Sequence, residues 1–214
     1  MRGRVQSRRP LMQPDFAAIS DRLFEDIAAR PALWVSNDYE AAWHRPGLLS
    51  YWVDDAGRDD LEAALGVELD GRLLSIGRAT GEHEGEYAVH GTMWGHVALG
   101  LLNSRGFHGL RTQLQLLLFP GDSQSGRWVQ PWLEAKVSVI GVPLSPPDSA
   151  CFLDVVAPPV SPLYGVGPPQ STAQARLAEV TTANRKARRE KAERRLQWMA
   201  EVRAEHLARR ASRE

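Results

Sequence analysis

The feature that most constrains the fold is a run of 44 residues, 171–214, that contains no helix breaker. No proline or glycine follows Pro169, so the sequence predicts one helix that begins at Ser171 and continues almost to the last residue. The middle of this helix, 181–195, has alanine as its only apolar residue type. Because a helix without an apolar stripe cannot pack inside a core, we expect this part to project into solvent or onto a partner.

Charge is distributed unevenly along the chain. Residues 171–214 hold 12 Lys/Arg against 6 Asp/Glu, whereas residues 1–170 hold 14 against 20. The formal net charge is zero, which excludes a protein that is basic throughout. The basic tail nevertheless predicts electrostatic affinity for a phosphate backbone. The alternative interpretation is a solvated helix whose charges keep the protein in solution.

Cysteine content and hydropathy narrow the class of protein. A single cysteine, Cys151, excludes a disulfide framework and a zinc site with three or four cysteines, and it indicates a reducing compartment. The longest strongly apolar run, Leu114 to Phe119, is far shorter than the roughly 20 residues of a membrane helix. The basic start MRGRVQSRRP is not followed by the apolar region of a signal peptide. We therefore expect a soluble, cytoplasmic protein without a membrane partner.

The remaining chain has the alternating helical and strand-like patterns of an α/β fold. Strands are predicted over 48–53, 73–76 and 136–144. Helices are predicted over 16–27, 59–65, 93–103, 111–119, 126–135 and 150–157. Residues 158–169 include five prolines and are expected to form a loop. This pattern predicts a basic disordered arm over 1–13, a domain over 14–170 and a long basic helix over 171–214.

Common catalytic signatures are mostly missing. The sequence has no G-x-S-x-G nucleophile turn and no glycine-rich loop that leads into a helix, which argues against a hydrolase triad and a dinucleotide site. The histidines are spaced too irregularly for a metal pair on one helix; they include His83, His90, His96 and His108. Asp122 with Glu134-Ala135-Lys136 resembles the Asp…Glu-x-Lys arrangement of restriction-type nucleases, in which two carboxylates hold Mg²⁺.

One series of short motifs, in a consistent order, points to a family. The segment 46–55, PGLLSYWVDD, is followed by a short helix and by 73–79, LLSIGRA, and together they resemble the paired strands of the GIY-YIG nuclease family. Residues 92–98 resemble the family's LxGRI helix, and 109–118 resemble the helix after it. The strand near 137–143 and the segment 151–164 resemble the closing E…PxLN element. The subgroup with a WWVDD first strand, associated with actinobacterial proteins, is the most similar, and the resemblance covers about residues 44–180.

This resemblance implies both a fold and a chemistry. The fold is a small sheet of about three strands flanked by helices. Enzymes of the family hydrolyse a phosphodiester with one divalent metal held by a glutamate, an arginine that neutralises the phosphate, and strand tyrosines that orient the attacking water. Motif matching places the tyrosines at Leu49 and Ser75, the arginine at His96 and the glutamate at Phe152. Since none of these positions keeps the family's residue, the resemblance implies a catalytically degenerate member that needs no cofactor.

Two neighbouring residues leave a residual endonuclease open as an alternative. Tyr51 lies on the same strand face as Leu49, displaced by about 6–7 Å along the strand. Asp154 becomes a ligand for Mg²⁺ or Mn²⁺ only if the motif alignment is shifted, because on a helix it lies about 200° around from Phe152.

Loss of catalysis leaves nucleic-acid binding as the leading prediction, with DNA favoured over RNA. The predicted contacts are Arg78, His96, Arg105, Arg111, Arg185, Arg188 and Arg189. The tail is the better candidate, because residues 31–90 hold 12 Asp/Glu and only 4 Lys/Arg. The alternative from another class is a protein-interaction or assembly module that uses 181–214, where an apolar patch follows the basic block; it comprises Leu196, Trp198, Met199, Val202 and Leu207.

Overall fold

The computed structural model describes residues 14–25, 41–81, 91–101, 109–120, 125–165 and 169–211. It has a three-stranded antiparallel sheet flanked by helices and a long C-terminal helix, which confirms the predicted α/β fold. The strands are β1 (Gly47–Val53), β2 (Leu73–Ala79) and β3 (Val137–Pro143), in the order β2-β1-β3. β1 is therefore the central strand and pairs with both neighbours. The predicted arm over 1–13 lies outside the described residues.

The helices are α1 (Phe16–Leu23), α2 (Asp55–Leu65), α3 (Gly109–Leu118), α4 (Ser125–Lys136), α5 (Pro146–Val155) and α6 (Thr172–Ala211). A short 3₁₀ helix covers Ala41–His44, and a π-helix covers Gly95–Leu101, within the segment for which an ordinary helix was predicted. In the described part of the chain, no helix is long and apolar enough to cross a membrane.

Two helices begin four residues earlier than their apolar spacing predicts, because side chains cap them. Asp54 accepts a hydrogen bond from the Gly57 N–H at 2.7 Å, which fixes the start of α2. Ser145 accepts one from the Asp148 N–H at 3.3 Å, and prolines occupy the first turn of α5. The predicted end of α2 at Gly66 is confirmed, since this glycine has a left-handed φ of 71°.

Alternating side chains of β1 divide the core into two layers. Leu49, Tyr51 and Val53 point to the first face of the sheet, where they pack with buried residues of α2, α3, α4 and α6. Leu48 and Trp52 point to the second face, where α1 and α5 complete a separate cluster. We call the sheet with α1–α5 the body of the protein.

The start of α6 belongs to the core of the first face. Ala173, Leu177 and Thr181 are buried there. The first turns of α6 therefore share a core with the sheet and its helices. From residue 189 to residue 206 every side chain of α6 is exposed, so this part of the helix projects beyond the body. The prediction that all of 181–195 projects is correct only from residue 189, because Thr181 is buried and Arg188 donates to carbonyl groups of the body.

Polar side chains also bind α6 to the body through the carbonyl ends of two helices. Arg176 donates to the Leu65 carbonyl, the last residue of α2, at 3.0 Å. Asn184 donates to the Leu116 carbonyl at 2.9 Å, near the end of α3. The last turn of a helix leaves carbonyl groups without intrahelical partners, so α6 satisfies acceptors that the body cannot satisfy within its own helices.

Candidate nucleic-acid interface

Three positions taken from the family motifs lie together on the first face of the sheet. In the ladder, Leu49 is opposite Gly77, and Tyr51 is opposite Ser75. The Tyr51 ring lies against Gly77: a Cβ atom built on this glycine would be 3.1 Å from Tyr51 Cε2 and 3.7 Å from His96 Nδ1. The structure therefore brings Leu49, Ser75 and His96 close to Tyr51, the proposed substitute.

These positions are closed to solvent. Leu49, Tyr51 and Ser75 are all buried, and His96 on the π-helix is half-buried. Burial raises the pKa of the Tyr51 hydroxyl above its usual range. A phenol in this setting is poorly placed to orient an attacking water, because water does not reach it. The structure therefore does not support the alternative in which Tyr51 replaces the family's catalytic tyrosine.

The position of the family's glutamate is on the other face of the sheet. Phe152 is fully buried in the second cluster, and its ring meets the Phe16 ring edge-to-face at 5.6 Å. Asp154, the alternative ligand, is exposed on α5. The sheet thus separates Phe152 from Leu49 and Ser75, and the motif-derived set does not surround one site. Within the described ranges, no group of three or more His, Cys, Asp or Glu residues is arranged to hold a metal ion.

The restriction-type arrangement is not assembled by its described members either. Lys136 donates to Asp60 at 2.7 Å, and Trp132 donates to the same carboxylate oxygen at 2.8 Å. These contacts lower the pKa of Asp60 and join α4 to α2. Glu134 is exposed on α4, and Asp122 lies outside the described residues.

The arginines predicted near the cleft have different environments. Arg78 is exposed on β2. Arg111 is only 2% exposed, and its Nη1 donates to the Leu101 carbonyl, at the end of the π-helix, at 2.7 Å. Burial lowers the pKa of its guanidinium. The prediction of Arg111 as a phosphate contact is therefore corrected, because the side chain is a structural donor inside the body. Arg105 lies outside the described residues.

Arg188 is also directed at the body, although it belongs to the basic block. Its Nη2 donates to the Phe119 carbonyl at 2.7 Å and to the Gln115 carbonyl at 3.2 Å. This places a cation at the carbonyl end of α3, where the helix dipole favours positive charge. The prediction that Arg188 contacts nucleic acid is corrected accordingly. One sequence signal places Arg188 on the docked side of α6. Steps of four and three residues lead to it from Leu177 through Thr181 and Asn184, so all four residues share one helix face.

Arg188→Ala is expected to destabilise the protein by about 2 kcal/mol, because it removes charge-assisted hydrogen bonds to two carbonyl groups. Arg189→Ala is the matched control. Because the Arg189 side chain is exposed, the free energy of unfolding should change by no more than about 0.5 kcal/mol. Urea unfolding followed by circular dichroism measures both. Equal unfolding midpoints for the two variants would contradict the assignment.

Four cations of the basic block, 185–195, lie on the outer side of α6. Arg185, Lys186, Arg189 and Arg194 are exposed, and at about 100° per residue they span roughly half of the helix circumference, opposite the docked side. We call them the basic face. Glu190 and Glu193 share the same arc, which leaves an excess of two positive charges over three turns of helix.

Comparison with other proteins does not add a relative: no family model, no curated protein and no solved structure matches this chain.

Proposed function

We propose that the protein binds nucleic acid, DNA in preference to RNA, through the basic face of α6, and that it is a catalytically degenerate relative of the GIY-YIG nucleases. The observation that carries the proposal is the exposure of Arg185, Lys186, Arg189 and Arg194 on a helix that leads away from an acidic body. Cytoplasmic location is part of the proposal, since the free Cys151 is exposed and a reducing compartment suits it.

The arrangement of the cations on α6 favours binding in a groove of the nucleic acid. Arg185 and Arg194 point in roughly opposite directions around the helix axis and are about 13 Å apart along it. A helix lying in the major groove of B-DNA, which is about 12 Å wide, would meet a phosphate backbone on each side. The major groove of A-form RNA is too deep and narrow for a helix, which is why DNA is the favoured partner.

The degenerate state is supported by the positions of the motif-derived residues. Hydrolysis of a phosphodiester needs the metal ligand, the cation and the water-orienting groups around one phosphate. Here Phe152 lies on one face of the sheet and Leu49 and Ser75 lie on the other. The positions that have lost the family's residues are therefore also positions that do not share one cleft for a substrate.

Binding to a fluorescein-labelled 20-base-pair DNA duplex tests the proposal by fluorescence anisotropy over a salt series. Four phosphate contacts predict a slope of log affinity against log salt of about −3.6. The variant R185A/K186A/R189A should raise Kd at least about tenfold and reduce the steepness of the slope by about 2.7. The duplex of the same sequence in RNA should bind more weakly.

The control variant removes three exposed arginines from the body, R22A/R45A/R127A, and so changes the net charge by the same amount. We expect it to keep the wild-type affinity and slope. Equal losses in the two triple variants would show a nonspecific effect of net charge, and no binding by the wild type at 50 mM salt would refute the proposal.

A supercoiled plasmid distinguishes the alternative of a residual endonuclease. The proposal expects no nicking with Mg²⁺, Mn²⁺ or EDTA. Nicking that requires metal and disappears in Asp154→Ala would instead show that the motif alignment is shifted and that Asp154 is a ligand.

A further inference from the structure

The projecting part of α6 carries an apolar patch. Its four large side chains are exposed: Leu196 66%, Trp198 60%, Met199 52% and Val202 43%. Exposed apolar surface of this kind, bordered by charged residues, marks sites where proteins interact. The patch does not include any residue of the basic face, so it requires an explanation of its own.

Two residues of the patch, Trp198 and Val202, continue the side of the helix that docks on the body. Met199 borders this side, whereas Leu196 lies about 200° around the helix from Trp198. The docked residues Leu177, Thr181, Asn184 and Arg188 follow alternating steps of four and three residues. The same steps continue through Lys191, Arg195, Trp198, Val202 and Glu205. This is the heptad spacing by which coiled-coil helices pair. We call these nine positions the seam: the body covers its first four positions, and the remaining five are exposed.

The position of the body decides how a second copy could pair with this seam. Two parallel helices paired through the seam would each need the space that the other copy's body occupies, because each body lies on the seam as far as Arg188. Antiparallel helices avoid this conflict, since only the projecting segments overlap. The projecting segment, 189–211, is about 35 Å long and has residue 200 at its middle. The apolar patch, 196–202, covers that middle.

Antiparallel pairing about residue 200 also matches the side chains. Each seam position then faces the position equally far on the other side of residue 200, so that Trp198 lies against Val202 of the second copy. Arg195 lies against Glu205 of the second copy, and the two-fold axis repeats both contacts. The exposed seam positions Arg195, Trp198, Val202 and Glu205 are thus complementary to the same positions of a second copy, in apolar surface and in charge.

We propose that the occupant of the apolar patch is a second copy of this chain, paired antiparallel through the seam of α6. Lys186 and Arg189 lie on the side of α6 away from the seam, so the dimer carries these cations of both copies on its outer sides. Arg194 is four residues before Trp198 and borders the seam. Arg195 and Trp198 are not part of the basic face, so variants at these two positions test dimerisation without removing a cation of that face.

The molar mass of the full chain, measured by sedimentation equilibrium without nucleic acid and with a reducing agent, tests the proposal. We expect twice the chain mass of 23.7 kDa at tens of micromolar. Trp198→Ala and Val202→Glu should each raise the dimer dissociation constant at least tenfold. Both residues are exposed, so the circular dichroism spectrum and the melting temperature should stay close to wild type. Gln197→Ala, about 100° around the helix from Trp198 and outside the seam, is the matched control and should keep the dimer.

Exchanging the charges at positions 195 and 205 tests whether the partner is a second copy and whether the two helices are antiparallel. Arg195→Glu and Glu205→Arg should each weaken the dimer at least tenfold, because each places like charges in contact, and the double variant should return to within about threefold of wild type. Glu193→Arg makes the same change in charge as Glu205→Arg at an exposed position about 200° around the helix from Arg195, and it should leave the dimer intact. A monomer at every concentration, or a dimer unaffected by Trp198→Ala, would overturn the proposal. Failure of the double variant to restore the dimer would overturn the antiparallel pairing.

Discussion

Replacing Phe152 with glutamate is expected to unfold the protein rather than to create a metal site, although the GIY-YIG resemblance places a glutamate there. Phe152 is fully buried among Phe16, Leu23 and Trp52 on the second face of the sheet. Loss of a buried phenylalanine alone costs about 3–5 kcal/mol, and a buried carboxylate without a partner adds several more. The sum is comparable with the whole stability of a typical domain, about 5–15 kcal/mol. Loss of near-ultraviolet circular dichroism at 25 °C would report the unfolding.

Leu153→Glu is the matched control, because Leu153 is the next residue of α5 and is 40% exposed. We expect it to change the free energy of unfolding by less than about 1 kcal/mol. A folded Phe152→Glu variant that Mn²⁺ stabilises would contradict the structure, since it would place this position in an open cleft rather than in the core.

Gly47→Ala is expected to destabilise the protein by about 3 kcal/mol or more, because β1 and β3 approach too closely for a side chain there. A Cβ on Gly47 would lie 2.3 Å from the Val142 carbonyl oxygen, which is a backbone atom of β3 and cannot rotate away. The Met93 sulfur would be 2.7 Å away on another side. Because β1 pairs with both other strands, a shift at Gly47 disturbs the whole sheet. Urea unfolding measures the loss.

Gly66→Ala separates this clash from the general effect of replacing glycine. Gly66 has nothing within 4 Å of a built Cβ, but its φ is 71°. The strain of a left-handed alanine costs about 1–2 kcal/mol. A smaller loss for Gly47→Ala than for Gly66→Ala would mean that the strands separate more easily than the structure indicates.

Local sequence patterns predict most of the elements of this fold. β1 and β3 follow from runs of apolar and β-branched residues, the end of α2 follows from Gly66, and the length of α6 follows from the missing breakers. The starts of α2 and α5 are predicted too late by apolar spacing, because the first turn of each helix is fixed by a capping side chain, Asp54 or Ser145. Apolar spacing over Gly95–Leu101 predicts a helix but does not distinguish the π form from the α form.

The candidate site is less predictable because it depends on contacts between distant residues. Arg111 and Arg188 are long cations on helices, and such residues usually keep their charge in solvent. Their actual acceptors are the carbonyl groups of Leu101 and Phe119, and in the second case the two residues are 69 positions apart. Motif order likewise gives the positions of Leu49 and Phe152 along the chain. It does not give the face of the sheet against which α5, and with it Phe152, packs, because that depends on contacts between distant residues.

The unbroken course of α6 gives the protein a fixed angular relation between its body and its far end. Arg176, Asn184 and Arg188 hold the first turns in one rotational setting, and no proline or glycine lets the later turns swivel relative to them. Each residue added to or removed from the exposed turns would rotate everything beyond it by about 100° and move it by about 1.5 Å. The number of residues between Arg188 and Trp198 therefore sets the direction in which Trp198 faces relative to the body.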